Sequence, residues 1–235
     1  MAYRLPDFHS HILPGADHGS DGPDTTFCQL AFAGTAGVDR IVATPHFYPQ
    51  RHSVSSFLKR RNDAYALLCR EAEKREIPLP QIRLGAEVLL CDGLDRMDRL
   101  SDLCMAGTDA LLLELPFSDF QPELLDTVEL IARGGIAVYL AHADRYPEEV
   151  INRILDAVPT VNIQLNADAL CGLFLPKRLR AWLDAGFVKL IGSDIHKRDA
   201  GAYSRFLSAQ KKLEKHGYDL SGASDTLFSS LRSII

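Results

Sequence analysis

Cysteine is sparse: five in 235 residues, at positions 28, 69, 91, 104 and 171, odd in number and never spaced C-x-x-C. This excludes a disulfide framework and a zinc ribbon, and leads us to expect reduced thiols and a cytoplasmic protein. Long apolar runs are missing too, and nothing approaches the ~20 residues that a membrane helix needs. The opening MAYRLPDFHSH has no apolar h-region and no small-residue cleavage site, so neither a signal peptide nor membrane insertion is expected. There is no basic run, and 26 Lys+Arg against 31 Asp+Glu leave a formal charge of −5. Such a balance disfavours nucleic-acid and anionic-membrane partners. Internal repeats, low-complexity tracts and linkers are likewise lacking. What remains, 46% hydrophobic and 24% charged residues, suits one domain with a sizeable core, expected to span residues 1–235.

Seven apolar runs of strand length stand out, at residues 4–8, 40–43, 82–86, 110–113, 136–141, 161–165 and 188–192. They are rich in Val, Ile and Leu and do not alternate with polar residues, the pattern of strands buried on both faces in a parallel sheet. Helical periodicity fills the intervals at 25–36, 54–75, 123–133, 148–157 and 179–185. Gly134, Gly135 and Gly186 stand where helices should end, and Pro122 and Pro147 where they should begin. One βα unit about every 34 residues predicts an α/β fold, a barrel or a doubly wound sheet. The tail, residues 207–235, reads as two further helices around Gly217 and Gly222, with the segment from about 199 packed on the barrel.

The residues after each strand run are the informative ones. The first run leads into His9 and His11, then Asp17-His18-Gly19, and the second into Thr44-Pro45-His46. The third ends at Glu87, the fourth at Glu114, and the fifth at His142 with Asp144 and Arg145 close behind. The sixth ends at Asn166, and the seventh leads to Asp194 and His196. These are strand C-terminal ends, the face on which βα barrels build their sites. Any one alone reads blandly: a buried histidine is usually a hydrogen-bonded structural group, and a lone glutamate a solvated charge. Six of the eight histidines nevertheless fall at these ends, and scattered core residues would not select them. His9, His11, His18, His46, Glu87, Glu114, His142, Asp194 and His196 are too many donors for one tetrahedral ion and enough for two or three ions with open positions. Imidazole and carboxylate without thiolate suit Mn2+, Fe or Zn2+. Such a cluster keeps excess positive charge, matched to an anionic substrate and a hydroxide.

His-x-His, Thr-Pro-His, Gly-x-Glu, Ala-His and Ser-Asp-x-His in this order resemble the PHP superfamily, the polymerase and histidinol phosphatase domain. More narrowly, DFHSHILPGADHGSDG, ATPHFYP, LGAEV, LLELPF, AHADRY, QLNADAL and GSDIH are similar to the bacterial manganese-dependent protein-tyrosine phosphatases of capsular and exopolysaccharide loci. The resemblance runs from Asp7 to about His196. It implies a distorted TIM-like (β/α)7 barrel in a single domain, with a trinuclear Mn2+ site. One metal would lie on His9, His11, Glu87 and Asp194; a second on Glu87, Glu114 and His142, with Glu87 bridging; a third on His18, His46 and His196. Arg145 matches the arginine that grips the substrate phosphate, and Arg198 stands in for a second. Three departures are visible. The phosphatases usually carry Asp-Asp-Gly where this chain has Asp17-His18-Gly19, a position at which the histidinol phosphatase branch has imidazole, so His18 is the expected ligand and Asp17 its substitute. Ala143-Asp144 replaces Pro-Glu before Arg145, and the loop after His196 is short.

The implied chemistry is direct attack on phosphorus by a metal-bridging hydroxide, with a phosphotyrosine protein, a bacterial tyrosine kinase tail, as substrate and partner. Asn166 is expected to orient a ligand or the phosphate. The alternative within the superfamily is a small-molecule phosphatase such as one acting on histidinol phosphate. An amidohydrolase fits less well, because that class often has a bridging lysine where this chain has Glu114. A metal-binding regulator does not need the full donor set or Arg145. Thiolate chemistry is excluded: Cys69 and Arg75 have C-x5-R spacing, but the stretch is charged, lacks glycine and continues a helical pattern. Lys59-Arg60-Arg61 reads as a solvated helix face. Tyr48, Arg51 and His52 are expected on a loop near the site. The oligomeric state is left open.

Overall fold

Among the described residues, nine parallel strands occupy seven positions, because two positions are split. The computed structural model describes residues 4–117 and 120–233. Residues 1–3 and 234–235, the ends of the expected domain and of its tail, lie outside the described residues. β1 (Asp7–Ser10) pairs with β2 (Arg40–Ala43), which pairs with β4 (Gln81–Leu84). A second sheet runs β3 (His46–Phe47), β5 (Glu87–Leu89), β6 (Ala110–Glu114), β7 (Ala137–Leu140), β8 (Asn162–Asn166) and β9 (Val188–Gly192). β2 and β3 are one strand position interrupted at Thr44-Pro45; β4 and β5 are another, interrupted at Gly85-Ala86. Chain order is therefore spatial order. The ring is drawn shut where the Asp194 amide donates to the His9 carbonyl (2.7 Å) and Ser10 bridges Ile195. This is the expected α/β, TIM-like fold with seven positions and a distortion at two of them.

The helices lie where the period placed them. α1 (Pro23–Thr35), α2 (Val54–Lys74), α3 (Glu123–Arg133), α4 (Glu148–Ala157) and α5 (Lys177–Asp184) each link successive strand positions. Ser53 caps α2 by accepting from the Ser56 amide. The tail gives α6 (Ala202–Lys215) and α7 (Ser221–Ser230). α6 begins before the expected 207, and Gly222 lies inside α7 rather than before it. From α7, Phe228 and, just beyond, Leu231 join Phe8, Val42, Met105, Leu112 and Leu190 in a second apolar cluster.

Two differences from the sequence reading have clear causes. The first strand was expected at residues 4–8 and is observed at Asp7–Ser10. Pro6 has no N–H to pair, whereas Ser10 pairs in register with Ala43 and takes the Thr44 amide. His9 is thus in the strand and not beyond it. Of the expected solvated trio on α2, Arg61 is buried, donating to the Gly85 carbonyl (2.9 Å) at the β4–β5 interruption. Cys69 is on α2, and Arg75 at its end pairs with Asp24 and Glu71, so no phosphate loop exists there.

Candidate metal centre

The two strand interruptions build the middle of the site. Because β3 and β5 restart in register, His46 lies directly beside Glu87. Glu87, fully buried, then receives four imidazoles: His142 Nε2 at 2.8 Å on Oε1, and His46 Nδ1 (2.9 Å), His9 Nε2 (3.2 Å) and His11 Nε2 (3.2 Å) on Oε2. Asp194 Oδ1 lies 3.6 Å from His9 Nε2 and 3.4 Å from His11 Nε2, and Glu114 Oε1 lies 3.7 Å from His142 Nε2.

Which nitrogen faces inward is set from behind. His9 Nδ1–H donates to Gln164 Oε1 (3.0 Å), His11 Nδ1–H to Asp17 Oδ2 (2.7 Å) and His196 Nδ1–H to the Asp194 carbonyl (3.0 Å). Each bond turns Nε2 to the inner side, the arrangement found behind metal-bound imidazoles. The electrostatics follow from crowding. Burial opposes charge on His9, but Glu87 and Asp194 outweigh it and raise its pKa to about 9. Burial opposes charge on Glu87 as well, and the imidazoles around it overcome this and hold it well below the carboxylate range. Glu114 goes the other way, pushed up to about 8 by burial and the nearby charge of Glu87. His196 is pushed down to about 4 by burial and by His11.

These residues fit divalent cations. His46 Nδ1, Glu87 Oε2 and His196 Nε2 are buried without a hydrogen bond, converging polar atoms whose geometry asks for a shared positive centre. Donor atoms of His11, His46 and His196, of His9, His11 and Asp194, of His9, Glu87 and His142, and of His46, Glu87 and Glu114 gather within 4.8 Å in each set. The four sets overlap through His9, His11, His46 and Glu87, which suits several ions sharing ligands.

The other expected residues are placed differently. His18 is exposed, its ring stacked on His46 (4.8 Å, 10° between planes) and 4.7 Å from His196. Asp17 takes the Gly19 and His46 amides besides the His11 ring, so it supports the cluster and His18 faces it. Arg145 ion-pairs with Asp194 Oδ2 at 2.6 Å and is 42% exposed, with further donors available. Asn166 is buried behind Asp194, donating to its Oδ2 (3.0 Å) and accepting from Gln164 (3.1 Å), so it orients the Asp194 carboxylate. Arg198 is exposed and turned to Thr25 Oγ1 on α1 (3.3 Å), not into the cluster.

Backbone constraints sharpen the site. His142 and Asp194 are both at left-handed φ, 33° and 50°, strain of the kind concentrated at functional positions. A Cβ on Gly19 would sit 2.1 Å from His11 Cβ, and one on Gly192 2.4 Å from His9 Cβ, so neither position admits a side chain. Gln164 and the buried Asp7 escaped the sequence reading. Asp7 accepts from Ser193 Oγ (2.6 Å) and Tyr203 (2.9 Å), joining β1 to β9 under the cluster. A signal was present in both cases: Asp-x-His-x-His and Gln-x-Asn put polar groups on one face of a buried strand.

The family described as "Capsular polysaccharide synthesis, CpsB/CapC" matches residues 5–227. The chain belongs to the CpsB/CapC family. This CpsB/CapC chain is 24% identical over 206 residues to Tyrosine-protein phosphatase CpsB of Streptococcus pneumoniae, covering 83% of this chain and 84% of that one. It also superposes on a solved structure from the pair YwqE of Bacillus subtilis and CpsB of Streptococcus pneumoniae, reported as unique metal-dependent tyrosine phosphatases. The TM-score is 0.76 at 19% identity, over 98% of this chain and 96% of that one. The family's fold is therefore the fold seen here. No helix among the described residues is long and apolar enough to cross a membrane.

Proposed function

We propose that this CpsB/CapC chain is a metal-dependent protein-tyrosine phosphatase of capsular polysaccharide synthesis, a phosphoric monoester hydrolase formed by one domain over residues 1–235. The observation that carries the reading is Glu87, buried amid four imidazoles with Arg145 at the rim of the same cluster. His9, His11, Glu87 and Asp194 would hold one Mn2+, Glu87, Glu114 and His142 a second, and His18, His46 and His196 a third. Bound cations would lower the pKa of water to supply the nucleophile and would stabilise charge on the phosphoryl oxygens.

The protein's own residues do the rest. Arg145 keeps one N–H on Asp194 and presents the others, in a fork matched to two phosphate oxygens, above the cluster. Gln164, Asn166 and Asp17 fix ring tautomers and the Asp194 carboxylate, so the donors need no reorganisation when substrate arrives. Tyrosinate, with a pKa of about 10, leaves readily enough that no nucleophilic side chain is required. The partner is a phosphotyrosine protein, the tail of a tyrosine kinase in the same synthesis system, met in the cytoplasm.

The test is to load the purified full chain with Mn2+, count metal per chain, and offer a phosphotyrosine peptide and histidinol phosphate side by side. We expect two to three metals and metal-dependent peptide turnover that is lost in His9→Ala. Preference for histidinol phosphate would move the chain to small-molecule hydrolysis, and absence of turnover with metal bound would overturn the enzymatic reading.

A further inference from the structure

Beside His142 of the cluster lies a cavity of about 210 Å³ between the β6–α3 and β7–α4 loops. Among the described residues it is lined by the apolar side chains of Leu115, Pro116, Phe117, Phe120, Pro147 and Val150, and by Tyr146 and Arg145. Phe117 is 70% exposed, a large ring left in solvent although an apolar cavity is beside it. Three near-parallel rings connect this cavity to the site. Phe117 stacks towards His142 (6.1 Å between centroids, 18° between planes) and Tyr146 (5.7 Å, 24°), and Tyr146 lies 5.7 Å from His142. The Tyr146 hydroxyl is spent on the Leu115 carbonyl (2.7 Å), which pins the ring and leaves its face, not its polar end, as the wall.

We propose that this cavity is an aryl subsite, in which Phe117 and Tyr146 receive the phenol ring of the phosphoester and set specificity for it. The proposal rests on the phosphotyrosine reading above and adds where the ring goes. Arg145 joins the two, because it borders the cavity and also pairs with Asp194 of the cluster. A phosphate gripped by Arg145 therefore hangs its ester group over Phe117. An aromatic ring gains stacking and burial there. A substituent ending in an ammonium is repelled by the Arg145 guanidinium at the cavity's edge. Tyr48, a further aromatic group beside the cluster, lies against His46 (5.3 Å) and carries the Arg51 guanidinium (5.3 Å), and it does not border this cavity.

The experiment compares phenylphosphonate with methylphosphonate, two non-hydrolysable probes with the same head group, by calorimetry on the Mn2+-loaded full chain. In the native chain phenylphosphonate binds tighter. Phe117→Ala lowers that phenyl-over-methyl ratio about tenfold, the loss of one stacking partner and its contact area. Phe117→Tyr restores the ratio, and Tyr48→Ala leaves it within about twofold. Phe117 is exposed, and an unaltered melting temperature shows that the variant is folded. An unchanged ratio in Phe117→Ala, or its collapse in Tyr48→Ala instead, overturns the subsite. The kinetic reading fails separately: a chain that prefers phenylphosphonate through Phe117 yet hydrolyses no phosphotyrosine keeps the aryl subsite and loses the assigned activity.

Discussion

The two halves of the candidate metal centre are built differently. On the β1–β8–β9 side, every donor is tied from behind: His9 to Gln164, Asp194 to Asn166 and Arg145, and the strands themselves through Asp7, Ser193 and Tyr203. On the other side, His18, His46 and His196 stand as stacked rings, with His18 exposed and the inward nitrogens of His46 and His196 unbonded. The first half is preorganised by strand geometry and a polar network. In the second, His46 sits on β3 but His18 and His196 stand on loops beyond strands, and His196 is held from behind by a single bond to the Asp194 carbonyl. We therefore expect the ions to differ in how tightly they are held, with the one at His18, His46 and His196 lost first.

The largest effect should come from the residue that belongs to both halves. Glu87→Gln removes the shared charge and should empty the centre and lower kcat by about three orders of magnitude, measured by metal analysis and turnover of a phosphotyrosine peptide. If only one ion is lost, Glu87 is not the bridge and the comparison fails. Gln164→Leu tests the tied half alone. It frees the His9 ring and should weaken metal affinity or activity about 10- to 100-fold, read by metal titration. His18→Ala tests the loose half and should cost less, lowering the metal count by one and speeding release to chelator about tenfold, whereas His18→Asp should recover the count. A greater loss in His18→Ala than in Gln164→Leu would reverse the proposed order.

The pH dependence separates the halves again. In the metal-free chain, Glu114 is pushed up to about 8 and His9 raised to about 9, so both hold protons at neutral pH. These protons must leave when cations bind, so affinity for ions held through His9 or Glu114 should rise with pH until about pH 8–9 and then level. His196, pushed down to about 4, is already neutral, and loading on its side releases no proton from it. Calorimetry in two buffers of different ionisation enthalpy, with metal added stepwise, should show proton release for the tightly held ions and little for the last. The smallest effect is expected for Arg198→Ala, within about twofold in kcat/KM, since that side chain faces Thr25. A loss beyond tenfold would mean that the loop after His196 rearranges to bring Arg198 to the phosphate.

Much of this architecture was legible because of two periodicities. Val-, Ile- and Leu-rich runs without alternation marked six of the seven strand positions to within a residue or two, and polar groups at their ends marked the cluster. β3 and β5 were not visible, since two- and three-residue strands carry no period. The first strand was misplaced because apolar content outweighed the missing amide of Pro6. Arg61 read as surface because charge runs usually are, yet the interruption at Gly85 exposes a carbonyl that only a long buried cation reaches. Asn166 was placed at a strand end correctly, but its partner was unknowable from spacing: Asp194 comes from a neighbouring strand whose alignment is set by pairing.

Sequence by itself determined the kind of chemistry, since donor type and position at strand ends follow from residue identity and a two-residue alternation along each strand. It also determined where glycine must stand, at Gly19 and Gly192, even though the reason emerges only when the neighbouring His11 and His9 are in place. Tertiary structure decided how the donors are shared. Glu87 becomes central because two strand positions break at the same level and restart in register, and that depends on hydrogen bonds between segments about forty residues apart. It also decided which nitrogen each histidine turns inward, because the partner fixing the tautomer lies on another element, as Gln164 on β8 does for His9 on β1. Local pattern encodes which groups a strand offers; only closure of the barrel brings the second partner that gives each group its role.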